Sequence, residues 1–105
     1  MPSENLVKTR IINNWEAQDE PEHLRTIRDR LFSLKHLTLP VLQQYRKIIK
    51  ESQIPISQSL EHTELLLSGL VIKQEGMLEI ANRIYAIVFD LNWVNKAIER
   101  LNSHN

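Results

Sequence analysis

The feature that most constrains this chain is a change of hydrophobic period near residue 70. Before that point apolar residues recur at spacings of three and four, as on one face of a helix. Across Val71-Ile72-Lys73-Gln74 and Met77-Leu78-Glu79-Ile80 the pattern becomes strand-like instead, with Glu75-Gly76 between the two runs. Two short runs joined by a two-residue, glycine-containing turn predict a β-hairpin at about residues 71–80. The register pairs 74 with 77, 73 with 78, 72 with 79 and 71 with 80. Glutamate is less favourable than Asn or Asp at the first turn position, which leaves a one-residue shift open. One face of the hairpin then carries Val71, Leu78 and Ile80, with Lys73 near the tip. The other carries Ile72, Gln74, Met77 and Glu79.

The remainder reads as helix. Leu6, Ile11, Ile12 and Trp15 predict a first helix over 6–15, which polar residues 16–20 interrupt. Asp19 as N-cap, Pro21 in the first turn and Glu22 at the reciprocal capping position open a second. Its stripe is Leu24, Ile27, Leu31 and Leu34. Thr38-Leu39-Pro40 repeats the cap-then-proline signal ahead of Val41, Leu42, Tyr45, Ile48 and Ile49. Residues 53–57, with Pro55, read as a connector. Ser57 or Ser59 caps the next helix, with Leu60, Thr63, Leu66, Leu67 and Leu70 as its buried side. Gly69 follows where helices commonly turn left-handed. Beyond the hairpin, Asn82 caps a segment holding Ile84, Tyr85, Ile87, Val88 and Phe89. Asp90 then opens a last helix through Trp93, Val94, Ala97, Ile98 and Leu101. This order predicts a mainly α fold: a winged-helix-like helical domain with one β-hairpin, residues 60–70 at the recognition-helix position and residues 73–77 as the wing. A chain of 105 residues is the size of one domain, here 1–105 with an ordered core over 6–101 and short frayed termini.

Composition removes several chemistries. Thirteen basic and thirteen acidic side chains cancel, so no global field draws the chain to nucleic acid or anionic lipid. There is no cysteine, which excludes disulfides, thiolate catalysis and Cys-based zinc sites. No apolar run approaches the roughly 20 residues that span a bilayer. The first five residues lack the basic and apolar regions of a signal peptide, so the expectation is a cytoplasmic protein without a membrane role.

The motif search is equally restrictive. His23, His36, His62 and His104 are scattered without metal-ligand spacing, and they read as unrelated surface or boundary residues. Two glycines, Gly69 and Gly76, cannot form a phosphate loop. Asp19, Glu20 and Glu22 are better explained by helix capping than by acid–base chemistry. The expectation is no catalytic residue, no cofactor and no metal. DNA binding in the standard winged-helix mode needs Arg, Lys, Asn or Gln on the recognition helix, whereas residues 59–70 offer Glu61, His62 and Glu64. Two basic bands, Arg25, Arg28, Arg30 and Lys35, then Arg46, Lys47 and Lys50, read first as solvated helix surface. Trp15 lies at the edge of a long charged segment, as a docking residue or as an anchor for the first helix.

Three stretches are more specific than patterning. They are residues 12–30 (Ile-Asn-Asn-Trp-Glu-Ala-Gln-Asp-Glu-Pro-Glu-His-Leu-Arg-Thr-Ile-Arg-Asp-Arg), 66–76 (Leu-Leu-Ser-Gly-Leu-Val-Ile-Lys-Gln-Glu-Gly) and 82–94 (Asn-Arg-Ile-Tyr-Ala-Ile-Val-Phe-Asp-Leu-Asn-Trp-Val). Together they resemble the winged-helix-like arm that follows the ATPase core in cyanobacterial AAA-like, STAND-type NTPases. The resemblance runs from about Leu6 to Leu101 and is weakest over 33–59. The family's nucleotide-binding core has no counterpart here, so ATP binding is not carried over. What the resemblance implies is a non-catalytic protein-interaction and regulatory module, whether a stand-alone relative, an excised domain or a gene remnant. Its partner would be a STAND-type ATPase or a sensor or effector protein. The candidate protein contacts are Trp15, Glu16, Asp19, Glu20, Arg25, Arg28, Lys73, Arg83 and Trp93. A small winged-helix DNA-binding regulator is the alternative function, and a homodimer through the final helix is a further assembly.

Overall fold

The computed structural model describes residues 22–103, with the side chains of 23–102. The helix expected over 6–15, the Asp19 cap and four candidate contacts (Trp15, Glu16, Asp19 and Glu20) lie outside the described residues. The elements follow in the order α1 (Glu22–Phe32), a 3-10 turn (Lys35–Leu37), α2 (Thr38–Glu51), β1 (Ile54–Pro55), α3 (Leu60–Ser68), β2 (Val71–Gln74), β3 (Met77–Ile80), α4 (Arg83–Val88) and α5 (Leu91–Ser103). The chain is therefore mainly α with a small antiparallel sheet. Among the described residues, no helix is long and apolar enough to cross a membrane.

The hairpin forms in the expected register, Val71 opposite Ile80 and Gln74 opposite Met77. Glu75 and Gly76 both adopt positive φ, +52° and +79°, as the right-handed strand twist requires of a two-residue turn. Val71 and Leu78 face the core while Ile72, Lys73 and Gln74 are exposed. A third strand enters from a segment that patterning assigns to a connector. Ile54 pairs with Leu78 and Pro55 with Met77, which makes β3 the central strand in the order β1-β3-β2. Two residues are too few to show a period, and proline lacks the N–H of a ladder donor. Pro55 is tolerated because β1 is an edge. The Ile56 amide donates to the Gly76 carbonyl and ties the connector to the hairpin turn.

The core is built from every helix. Leu24, Ile27 and Leu31 of α1 meet Val41, Leu42, Tyr45 and Ile48 of α2, with Leu65, Leu70, Val88, Phe89, Val94, Ala97 and Ile98 closing around them. Several ends are capped as the sequence indicates. Ser59 Oγ accepts from the His62 amide, Asn82 Oδ1 from the Tyr85 amide and Asp90 Oδ1 from the Trp93 amide, each relieving an unpartnered donor of a first turn. Gly69 ends α3 at φ +84°.

Two local expectations are corrected. Thr38 is not an N-cap: it is the first residue of α2, behind the 3-10 turn. Its buried hydroxyl donates to the Leu31 carbonyl at 2.7 Å, so it joins the end of α1 to the start of α2. On α3, Leu60 and Leu67 do not line the core. They are 63% and 62% exposed, Thr63 is exposed with them, and His62 and Leu65 turn inward instead.

Candidate protein-contact surface

Leu70 is buried and Leu66 packs against the core as expected, and the outward turn of Leu60, Thr63 and Leu67 follows from the N-terminal turn of α3. The Ser57 amide donates to His62 Nδ1 at 3.0 Å, and the Ser57 hydroxyl lies 3.1 Å from the same nitrogen. On the other side of the ring, His62 Nε2 stands 2.9 Å from Gln44 Oε1 on α2. An Nδ1 that accepts an amide N–H must be unprotonated, so Nε2 carries the hydrogen and donates to Gln44. Burial, together with the Lys47 cation and against the opposing pull of Glu61, holds this imidazole below the usual histidine range. His62 is thus a buried histidine with both nitrogens engaged, deeper than the surface or boundary position expected of it. Because it is fixed inward, Leu65 follows it to the core, and Leu60, Thr63 and Leu67 share the outer face at spacings of three and four.

The contact between Ser57 and His62 has the residue types of an acyl-transfer pair, but the geometry serves the fold. The single lone pair of Nδ1 is already taken by Ser57's own amide, and Nε2 is turned to α2. No cluster of three or more His, Asp or Glu residues able to hold a metal occurs among the described residues.

The outer face of α3 is therefore apolar with an acidic border. Glu61 lies in the first turn, and Glu64 pairs with Arg30 of α1 at 3.2 Å. Leu60 stands exposed in the first turn, where a DNA-reading helix would present a polar or basic side chain. Residues 52–59, which include β1, separate α2 from α3. The short turn of a helix-turn-helix is not the connection here. Ile72, on the outward face of the hairpin, is 39% exposed, and Lys73 beside it is exposed.

The other candidate contacts lie on different elements. Arg25 is exposed on α1, and Arg28 is half-buried on α1 beside Asp29, 3.2 Å away. Arg83 is exposed at the start of α4. Trp93, half-buried on α5, meets Phe32 of α1 edge-on at 6.0 Å and Phe89 at 4.8 Å. The structure thus brings Trp93 against α1, which carries Arg25 and Arg28, whereas Lys73 belongs to the hairpin. The residues that sequence reasoning missed are the exposed leucines of α3 and Phe32, 39% exposed. The run Leu65-Leu66-Leu67 fits two helix phases equally well. No signal in the sequence alone chooses between them.

One curated protein is similar in sequence to most of this chain. It is described as an uncharacterized WD repeat-containing protein from Synechocystis sp., 41% identical over 96 residues, or 91% of this chain. The likeness is to one stretch of a much larger protein. The chain spans 8% of that relative's length. A WD blade is four antiparallel strands, whereas the described residues here are mostly helical, so the shared stretch in this chain is not a blade. No family model matches the chain, and no solved structure matches it significantly.

Proposed function

We propose that this chain is a non-catalytic protein-contact module, the winged-helix-like arm of an AAA-like, STAND-type signalling ATPase. In this reading the outer face of α3 rests on the ATPase core. The observation that carries the reading is the exposed Leu60–Leu67 stripe. Two leucines on one face of one helix, each more than 60% exposed, form a compact apolar strip that a partner would cover. The printed name of the Synechocystis relative, a WD repeat-containing protein with a stretch 41% identical to this chain, hints at protein interaction and so supports the reading. The DNA-binding alternative is the weaker reading, because α3 carries no Arg or Lys.

The reading is tested by titrating the chain against a purified STAND-type ATPase core, by calorimetry, with and without ATP. Saturable binding that falls at least tenfold in Leu60→Ser/Leu67→Ser, with the helical circular dichroism unchanged, is the expected result. Absence of binding by the folded wild-type chain would reject it. A gel shift on random duplex at low salt that vanishes at high salt would favour the DNA reading.

A further inference from the structure

Packed helices interlock when a side chain of one, the knob, enters a hole framed by four residues of the other. On a helix surface such a hole is framed by residues i, i+3, i+4 and i+7, which are neighbours there. The outer face of α3 presents one set of this kind: Leu60, Thr63, Glu64 and Leu67. The two leucines are 63% and 62% exposed, Thr63 is exposed between them, and Glu64 is half-buried on the border with α1. Two turns of helix set the leucines about 10 Å apart along the axis. Thr63 is short, and its hydroxyl already donates to the Ser59 carbonyl at 3.1 Å, so the space between the leucines makes no polar demand. The frame has two apolar ends, and the described residues leave it open.

We propose that this hole receives a knob from an amphipathic helix of a different protein, apolar at i, i+3 or i+4 and i+7, with Lys or Arg along the border that meets Glu61 and Glu64. The inference rests on the contact reading of α3 above and names the partner's chemistry. The four-residue frame selects a helix, since an extended strand or a flat apolar surface would cover the leucines without entering the space between them. Charge selects its border. Residues 60–68 include Glu61 and Glu64 but neither Lys nor Arg. The last turn, where the helix dipole is negative, has no basic residue to offset it. Arg30 of α1 engages Glu64 through Oε1 alone, and Glu61 has no cationic partner among the described residues. The same charges disfavour a second copy. A two-fold interface sets one patch against itself, so the glutamates of both α3 helices would gather at one contact with no cation on either helix between them.

The probes are two synthetic helices of about 18 residues, or five turns, with the same leucine stripe on an alanine background. One is bordered by lysine and the other by glutamate at the same positions. Titrated into the isotope-labelled chain, the lysine helix should shift the amide signals of Thr63, Glu64 and Leu67 and bind at least tenfold more tightly than the glutamate helix. Glu61→Lys/Glu64→Lys should reverse that order. Glu61→Gln, which keeps the Arg30–Glu64 pair, should narrow the preference several-fold. Thr63→Trp adds apolar surface yet plugs the hole, so it should weaken binding at least tenfold, whereas a non-specific apolar strip would bind more tightly. Each variant is first matched to wild type by circular dichroism. Equal binding of the two helices, no binding of either, or tighter binding to Thr63→Trp would overturn the proposal. Shifts at the same amides that grow with the concentration of the chain alone would also overturn it, in favour of a second copy. Failure here is distinct from failure of the contact reading: an ATPase core whose binding Leu60→Ser/Leu67→Ser weakens, with no preference between the helices, keeps α3 as a contact face and removes the basic helix as its occupant.

Discussion

The Tyr45 hydroxyl, buried on α2, donates its hydrogen bond to the carbonyl of Phe89, the residue at which α4 ends. This one bond ties the central helix to the corner where the chain turns from α4 into α5. The same corner is fixed on its other side by the Phe89 amide donating to the Tyr85 carbonyl at 2.8 Å. Burial, and the Asp90 carboxylate next, push the Tyr45 phenol far above its ordinary range, so it stays a neutral donor at every physiological pH. Tyr45→Phe leaves the Phe89 carbonyl buried without this donor. It should cost about 1–3 kcal/mol, read as a lower urea midpoint with an unchanged slope.

The His62 cluster makes stability depend on pH. The folded-state pKa is lowered, mainly by burial, so the unfolded chain binds the proton more readily than the folded one. The contribution is complete above the unfolded value of about 6.5. It is lost as pH falls below that value and through the lower folded pKa. Protonation also removes the acceptor for the Ser57 amide and so loosens the connector before α3. Urea melts between neutral and mildly acidic pH should show this decline, and His62→Gln should flatten it.

The phase of α3 is checked by a pair of truncations. Leu65, fully buried, should lose about 2–5 kcal/mol as Leu65→Ala. Leu67→Ala, on the exposed face, should stay within about 0.5 kcal/mol of wild type. The reverse order in thermal melts would restore the buried stripe that the sequence pattern suggests.

The hairpin turn holds a glutamate where an asparagine fits better. Glu75 sits at φ +52°, a conformation Asn tolerates at lower cost. Glu75→Asn should therefore raise stability by a few tenths to about 1 kcal/mol. Gly76→Ala, at φ +79°, should lower it. Both are measured by thermal unfolding.

Much of the architecture was legible because it rests on local chemistry. The hairpin register follows from alternation about Glu75-Gly76, and the caps at Ser59, Asn82 and Asp90 follow from side chains that compete for backbone amides wherever they occur. Leu24, Ile27 and Leu31 announce one face of α1 without ambiguity. Of the nine candidate contacts, Arg25, Arg83 and Lys73 are exposed, and Arg28 and Trp93 are half-buried. Trp93 is as much a packing residue as a contact, since its ring meets Phe32 and Phe89.

What escaped the sequence depends on partners distant along the chain. β1 exists because β3 offers an edge to Ile54 and Pro55, and two residues have no pattern of their own. Thr38 looks like a cap until the Leu31 carbonyl comes within reach of its hydroxyl. The rotation of α3 is the clearest case. Its leucines occur on more than one side of the helix, so burial energy alone permits more than one orientation. The choice falls to His62, whose two nitrogens find Ser57 and Gln44 only in the folded arrangement. Local periodicity settles where helices and turns form, because hydrogen bonds and alternation act over a few residues. Which face turns inward, and so which leucines are left for a partner, is settled by polar groups that meet only on folding.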